Sequence, residues 1–205
     1  MGILEVKHRP PGYELFFAPL AVVFDPNTYE KVQFAYFVSK YGHARQKRDD
    51  DSRFFDHPKS AAWIYIDELG GRDPRTVIDL LLHDMPEDAY LMSSYRISLN
   101  FGVDIALDVR AVTKLPKGKE TLEANLLRII ARGPIVILVK LCDRLHNVRT
   151  LGVCSEEKQK RKIAETVDFI LPMLIPALRA CGDQWSEYAD ILEGKLSRAI
   201  AELQR

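Results

Sequence analysis

Apolar positions along the chain recur at helical spacing in one segment after another, and capping residues mark where each segment starts. Asp25 followed by Pro26 combines a capping side chain with a first-turn proline, and Val32, Ala35 and Tyr36 then share one face. This pattern predicts a helix from Pro26 to about His43. The charged stretch from Arg45 to Asp56 reads as a loop, after which His57-Pro58 opens a second helix through Ala62, Ile66 and Leu69 to a stop at Gly70-Gly71. Asp73-Pro74 repeats the cap-plus-proline start. The helix that follows, carrying Val77, Ile78, Leu80, Leu81 and Leu82, is apolar on most faces and is therefore expected at the centre of the fold.

Further helices are predicted around 92–99, 102–112, 120–132, 135–150, 156–171 and 183–204, separated by breaks such as Leu115-Pro116-Lys117-Gly118. The β-branched run Ile135 to Val139 has strand propensity, but its continuation into Leu141, Leu145, Val148 and Leu151 at helical spacing favours a long buried helix. No long segment alternates with strand period. The expected architecture is all-α, an irregular bundle of about nine helices forming one domain over residues 1–205. In the last segment Trp185, Tyr188, Leu192, Leu196, Ala199 and Leu203 form a stripe, which serves either as a packing helix or as the self-association surface of a homodimer.

Composition narrows the function classes. The 29 lysines and arginines balance 29 aspartates and glutamates, so no global positive field exists to hold a nucleic acid, and anion binding must be local. Cys142, Cys154 and Cys181 are odd in number and lack close pairing, and read as reduced, mostly buried thiols of a cytoplasmic protein. The early apolar run from Leu15 to Phe24 is short and contains Pro19, so neither a signal peptide nor a membrane span is expected. Met1-Gly2 begins like an acylation site, but Val6 stands where a serine or threonine is wanted.

Three polar features then stand out. His83-Asp84 ends an apolar helix, where two ionisable neighbours are costly unless compensated; either the histidine caps the helix beside a solvated aspartate or a metal holds both. Pro86 ends or kinks the helix there, so that Glu87 and Asp88 crowd the same end, as an acidic loop or as carboxylates arranged around a cation. Second, Lys140, Asp143, Arg144 and Asn147 recur at helical spacing along one face, either as a solvated salt-bridge ladder or as the lining of an internal cleft. The fully apolar residues before them favour the cleft. Third, His43 stands at a helix end beside Arg45, Lys47 and Arg48, while His57, ahead of Pro58, reads as a packing or capping residue.

In order, His43-Ala44-Arg45-Gln46-Lys47-Arg48, His57-Pro58, Leu81-Leu82-His83-Asp84-Met85-Pro86-Glu87-Asp88 and the segment from Lys140 through Asp143, Arg144 and Asn147 to Leu151 resemble the HD-superfamily hydrolase domain of the RelA/SpoT homologues. Val112-Thr113-Lys114-Leu115 and Ala164-Glu165-Thr166 resemble two further markers, so the likeness spans about residues 28–180. It implies an α-helical HD domain with one Mn²⁺, or another divalent ion, and removal of the 3′-pyrophosphate from the alarmones ppGpp and pppGpp. Carried over by position, it makes His43, His83, Asp84 and Asp143 the metal ligands, and Glu87 with Asp88 the pair that positions and deprotonates water. It further places Lys140, Arg144, Asn147 and Thr150 at the phosphates and nucleoside, with Arg45, Lys47 and Arg48 as an electropositive rim.

The chain departs from the family pattern in three places. Asp51-Ser52-Arg53-Phe54 replaces a glycine-glutamate-proline-tyrosine segment, Ala89 stands where a threonine is usual, and Gln33 and Phe34 stand where basic residues are expected. Adenine analogues such as (p)ppApp are therefore candidate substrates beside the guanine nucleotides. With no synthetase segment after Arg205, the chain resembles the stand-alone small alarmone hydrolases. An NADPH 2′-phosphatase and a catalytically silent alarmone-binding module are the competing expectations.

Overall fold

A computed structural model describes residues 10–88, 92–116 and 118–204, with the side chains of Glu87 and Asp88 outside that description. Met1-Gly2, Val6 and Ala89 also lie outside the described residues. Among those described, the secondary structure is helical except for one isolated antiparallel bridge, Lys47 to Arg53. The all-α expectation holds. The chain divides into two compact units, residues 1–110 and 111–205.

The first unit contains α1 (Tyr13–Ala21), α2 (Pro26–Gly42), α3 (Asp56–Trp63), α4 (Pro74–Leu82), α5 (Met85–Asp88), α6 (Ser94–Phe101) and most of α7 (Val103–Val112). The early apolar run forms α1, whose Phe16, Phe17 and Leu20 are buried in an aromatic cluster with Tyr36 of α2. Asp25 starts α2 by accepting from Asn27 N at 3.0 Å and Thr28 N at 3.1 Å. These bonds, with that from the Thr28 hydroxyl foremost, hold its carboxyl below the usual range. Asp73 caps α4 in the same way, accepting from Thr76 N at 2.8 Å. Every residue of α4 from Thr76 to Leu82 is buried, and α2 and α3 pack against it, which makes α4 the central helix of this unit.

Asp79 of α4 is 1% exposed and lies against the carboxylate of Asp108 on α7, which Arg75 engages at 2.6 Å. Burial first, and then the neighbouring Asp108, push the Asp79 carboxyl well above the usual carboxylate range. Both effects favour the neutral, protonated form of Asp79.

Between α3 and α4 the helix widens into a π-helical turn, Ile64–Glu68. That turn places the Tyr65 ring over Gly71, where an added Cβ would lie 2.0 Å from the ring. The Tyr65 hydroxyl then accepts from Asp73 N at 3.1 Å, tying the turn to the cap of α4.

The second unit is built on α9 (Pro134–Arg149), with α8 (Leu122–Arg132), α11 (Leu171–Arg179) and α12 (Asp183–Leu203) packed against it. The β-branched run is helical, as its continuity predicts, and Val136 to His146 are all buried. A helix expected over 156–171 continues instead to Arg179, as α10 (Glu156–Glu165), a π-helical turn at Thr166–Ile170 and α11. Pro172 and Pro176 lie in α11; each lacks an N–H, and the wide turn ahead of Pro172 absorbs the first of these interruptions. The stripe on α12 buries Tyr188, Ala189, Leu192, Leu196, Ala199 and Ile200, and α12 packs on α9 and α11 of its own unit. Its apolar face is thus used for packing within the unit. No helix among the described residues is long and apolar enough to cross a membrane. Of the three cysteines Cys142 is buried, Cys154 half-buried and Cys181 exposed.

Candidate metal centre

In the first unit three donor atoms converge where α3 meets the end of α4. His57 Nε2 lies 3.2 Å from His83 Nε2, and Asp84 Oδ2 lies 3.3 Å from each of them. His57 and His83 are 3% and 4% exposed, and Asp84 is half-buried. Sequence position explains the arrangement. Pro58 sits in the first turn of α3 and fixes His57 at its start, while His83 follows the last residue of α4.

The chemistry of the set fits a divalent ion. A carbonyl can only accept, so the 2.7 Å contact between His83 Nδ1 and Leu80 O puts the proton on Nδ1 and the lone pair on Nε2. Ligands about 2.1 Å from an ion stand about 3.0 Å apart at right angles and about 3.4 Å apart in a tetrahedron. The observed spacings fall between these limits. Two imidazoles and a carboxylate without a thiolate suit zinc and also harder ions such as manganese.

The sequence gives His57 a packing or capping role and the resemblance gives His43 the metal, whereas in the structure it is His57 Nε2 that lies beside His83 and Asp84. A signal for it was present, because His57-Pro58 stands at a helix start within the recognised motif order. The contacts shown for His43, which is 1% exposed, are a 2.5 Å bond from Nδ1 to Gln46 Oε1 and a stack on Phe54 with ring centroids 4.7 Å apart. Phe54 in turn meets the His57 ring edge-on at 6.3 Å. His43 is thus connected to the donor triangle through Phe54.

The loop leading to His57 carries the basic rim. Arg48 N bonds Ser52 O at 3.0 Å, Lys47 Nζ bonds Asp51 O at 3.0 Å, and Asp51 takes a positive φ of 61° to close the turn. Arg45 and Lys47 are exposed and Arg48 is half-buried.

In the second unit the polar residues of α9 are not a solvated face. Lys140, Asp143 and Arg144 are 5%, 6% and 4% exposed. Lys140 Nζ lies 2.8 Å from Asp143 Oδ2, and Asn147 Nδ2 donates to Asp143 Oδ1. Arg144 reaches Glu165 at 3.5 Å, and its buried Nε has no hydrogen-bond partner among the described residues. The Thr150 hydroxyl donates to the carbonyls of His146 at 3.0 Å and Asn147 at 3.2 Å, closing the end of the helix. Glu165 also bonds Lys162 at 2.7 Å. Although burial opposes ionisation of Glu165, the Lys162 bond and the neighbouring cations hold its carboxyl below the usual range. Lys140 and Asn147, expected at the substrate, therefore both engage Asp143. Glu87 lies with Asp88 in α5, directly after His83-Asp84, and their side chains are outside the described residues.

The chain is similar to several known proteins. The sequence profile of the HD domain family matches residues 35–170. The chain is 39% identical over 154 residues to the guanosine-3′,5′-bis(diphosphate) 3′-pyrophosphohydrolase of Aquifex aeolicus, a match covering 72% of this chain and 22% of that protein. It is 36% identical over 156 residues to a GTP pyrophosphokinase of Streptomyces coelicolor, covering 73% of this chain and 18% of the relative. The matched region thus spans about a fifth of the length of these curated relatives. A solved structure of a metazoan SpoT ortholog, described as hydrolysing ppGpp and acting in starvation responses, superposes with a TM-score of 0.68 at 22% identity. That likeness covers 84% of this chain and 94% of the other, and at this identity it bears on the fold.

Proposed function

This chain belongs to the HD domain family, in the form carried by the RelA/SpoT homologues, and from that premise we propose that it is a divalent-metal-dependent 3′-pyrophosphohydrolase of ppGpp and pppGpp. Water attacks the 3′-diphosphate, and the products are pyrophosphate and GDP or GTP. The observation that carries the reading is the His57, His83 and Asp84 donor triangle inside the matched family region.

The proposed ligand set is His57, His83 and Asp84 with Asp143, and the ion is Mn²⁺. Here the geometry favours His57 over His43 for the first imidazole, and His43 acts behind it through Phe54. When bound, the ion supplies Lewis acidity, easing ionisation of water at neutral pH and neutralising charge on the departing pyrophosphate. The protein's own residues do the rest. The Leu80 carbonyl keeps His83 in the tautomer that presents Nε2. Glu87 and Asp88, one turn beyond the ligands, position the water and take its proton. Arg45, Lys47 and Arg48 attract the phosphates, and Arg144 and Thr150 are further substrate contacts. The protein works in the cytoplasm on a soluble nucleotide.

The test is a Mn²⁺-supplemented panel of ppGpp, pppGpp, ppApp and NADPH with the products identified. Pyrophosphate from ppGpp supports the reading, and pyrophosphate from ppApp alone moves the base preference to adenine. Orthophosphate from NADPH alone, or binding of ppGpp without turnover by metal-loaded protein, overturns it.

A further inference from the structure

Asp143 is held from both sides along its own helix. One turn before it, the Lys140 ammonium lies 2.8 Å from Oδ2, and one turn after it, the Asn147 amide donates to Oδ1. Lys140 and Asp143 are both buried, so this is an ion pair inside the protein and not a rim contact. Withdrawing two charges from water is costly, and close pairing is what offsets that cost. Lys140 is thus committed to Asp143, and reaching a substrate phosphate would require giving up this buried pair.

Resting on the reading of Asp143 as a metal ligand, we propose that Lys140 is a positioning residue that fixes the Asp143 carboxylate and limits the charge it delivers to the ion. It is not a phosphate contact. Two neutral imidazoles and two carboxylates cancel a divalent ion's charge; the nearby ammonium restores one positive charge to the centre. That residual charge opposes metal binding but favours ionisation of water and stabilises an anionic phosphate in the transition state. Lys140 thus gives up some metal affinity in exchange for turnover.

The experiment measures Mn²⁺ affinity by electron paramagnetic resonance, which needs no turnover, together with steady-state kinetics. The proteins compared are the full chain, Lys140→Met, Lys140→Gln, Lys140→Arg and Asp143→Ala. Both neutral variants are expected to bind Mn²⁺ about tenfold more tightly, the order expected from removing one charge beside a divalent ion. Their kcat falls with KM for ppGpp little changed, and Lys140→Arg restores both properties. Glutamine keeps a donor for Asp143, so it carries the test if methionine does not fold. Parental Mn²⁺ affinity and kcat with a raised KM in the neutral variants would make Lys140 a substrate contact and overturn the proposal. If Asp143→Ala binds Mn²⁺ like the parent, the assignment of Asp143 as a ligand fails first. That result is distinguishable from a failure of the Lys140 role alone.

Discussion

His57 and His83 stand 26 residues apart in the chain, yet their Nε2 atoms are 3.2 Å from each other. Two buried imidazole nitrogens at that distance are explained by a shared proton or a shared ion, and Asp84 Oδ2 at 3.3 Å from both favours the ion.

His57→Ala is therefore expected to weaken Mn²⁺ binding more than about a hundredfold, because losing even an outer partner of a metal ligand commonly costs ten- to a hundredfold. His43→Ala should cost less, since its ring acts through Phe54. Calorimetric titration of both variants with Mn²⁺ decides the matter, and equal losses would refute the ranking.

Glu87→Gln should keep Mn²⁺ affinity while lowering kcat by about 10²- to 10⁴-fold, the usual contribution of a positioned general base. Normal turnover in this variant would remove Glu87 from water activation.

The Asp79 carboxyl makes stability fall as pH rises. Its pKa in the folded protein is raised, so above the ordinary carboxylate range the unfolded state gives up a proton that the folded state keeps. The stability this group contributes is complete below its unfolded pKa and is lost as pH rises through the folded one. Asp79→Asn keeps the shape and a donor for Asp108 without the ionisation. Its Tm relative to the parent should match near pH 4 and climb progressively toward pH 8. A constant difference across that range would show that Asp79 is ionised in the folded state.

Gly71→Ala would force a methyl group into the Tyr65 ring, which is also bonded to the start of α4. Overpacking of this kind costs about 1–3 kcal/mol. Thermal unfolding should show the loss, and Tyr65→Leu in the same protein should recover part of it.

Local signals made much of the fold legible in the sequence. Asp25-Pro26 and Asp73-Pro74 start helices because a carboxylate satisfies free N–H groups that proline does not add to, and both starts are found in place. The apolar faces of Val77 to Leu82 and Val136 to Val139 put α4 and α9 in the middle of their units for the same local reason. The division into two units was not legible, nor was the passage of helix through Pro172 and Pro176. Both depend on contacts between segments far apart in the chain.

The candidate site divides along the same line. Sequence alone determined the helical class, the family resemblance and the ionisable side chains worth watching, because these follow from residue type, spacing and order. It gave the metal to His43 and a packing or capping role to His57, because either imidazole beside a helix end can ligate a metal or pack and residue type alone does not separate the two. Only the tertiary structure decided that α3 lays His57 Nε2 beside His83 and Asp84, and that Lys140 turns along α9 to Asp143. A ligand is defined by where its donor atom points, and that direction is set by the packing of one helix on another.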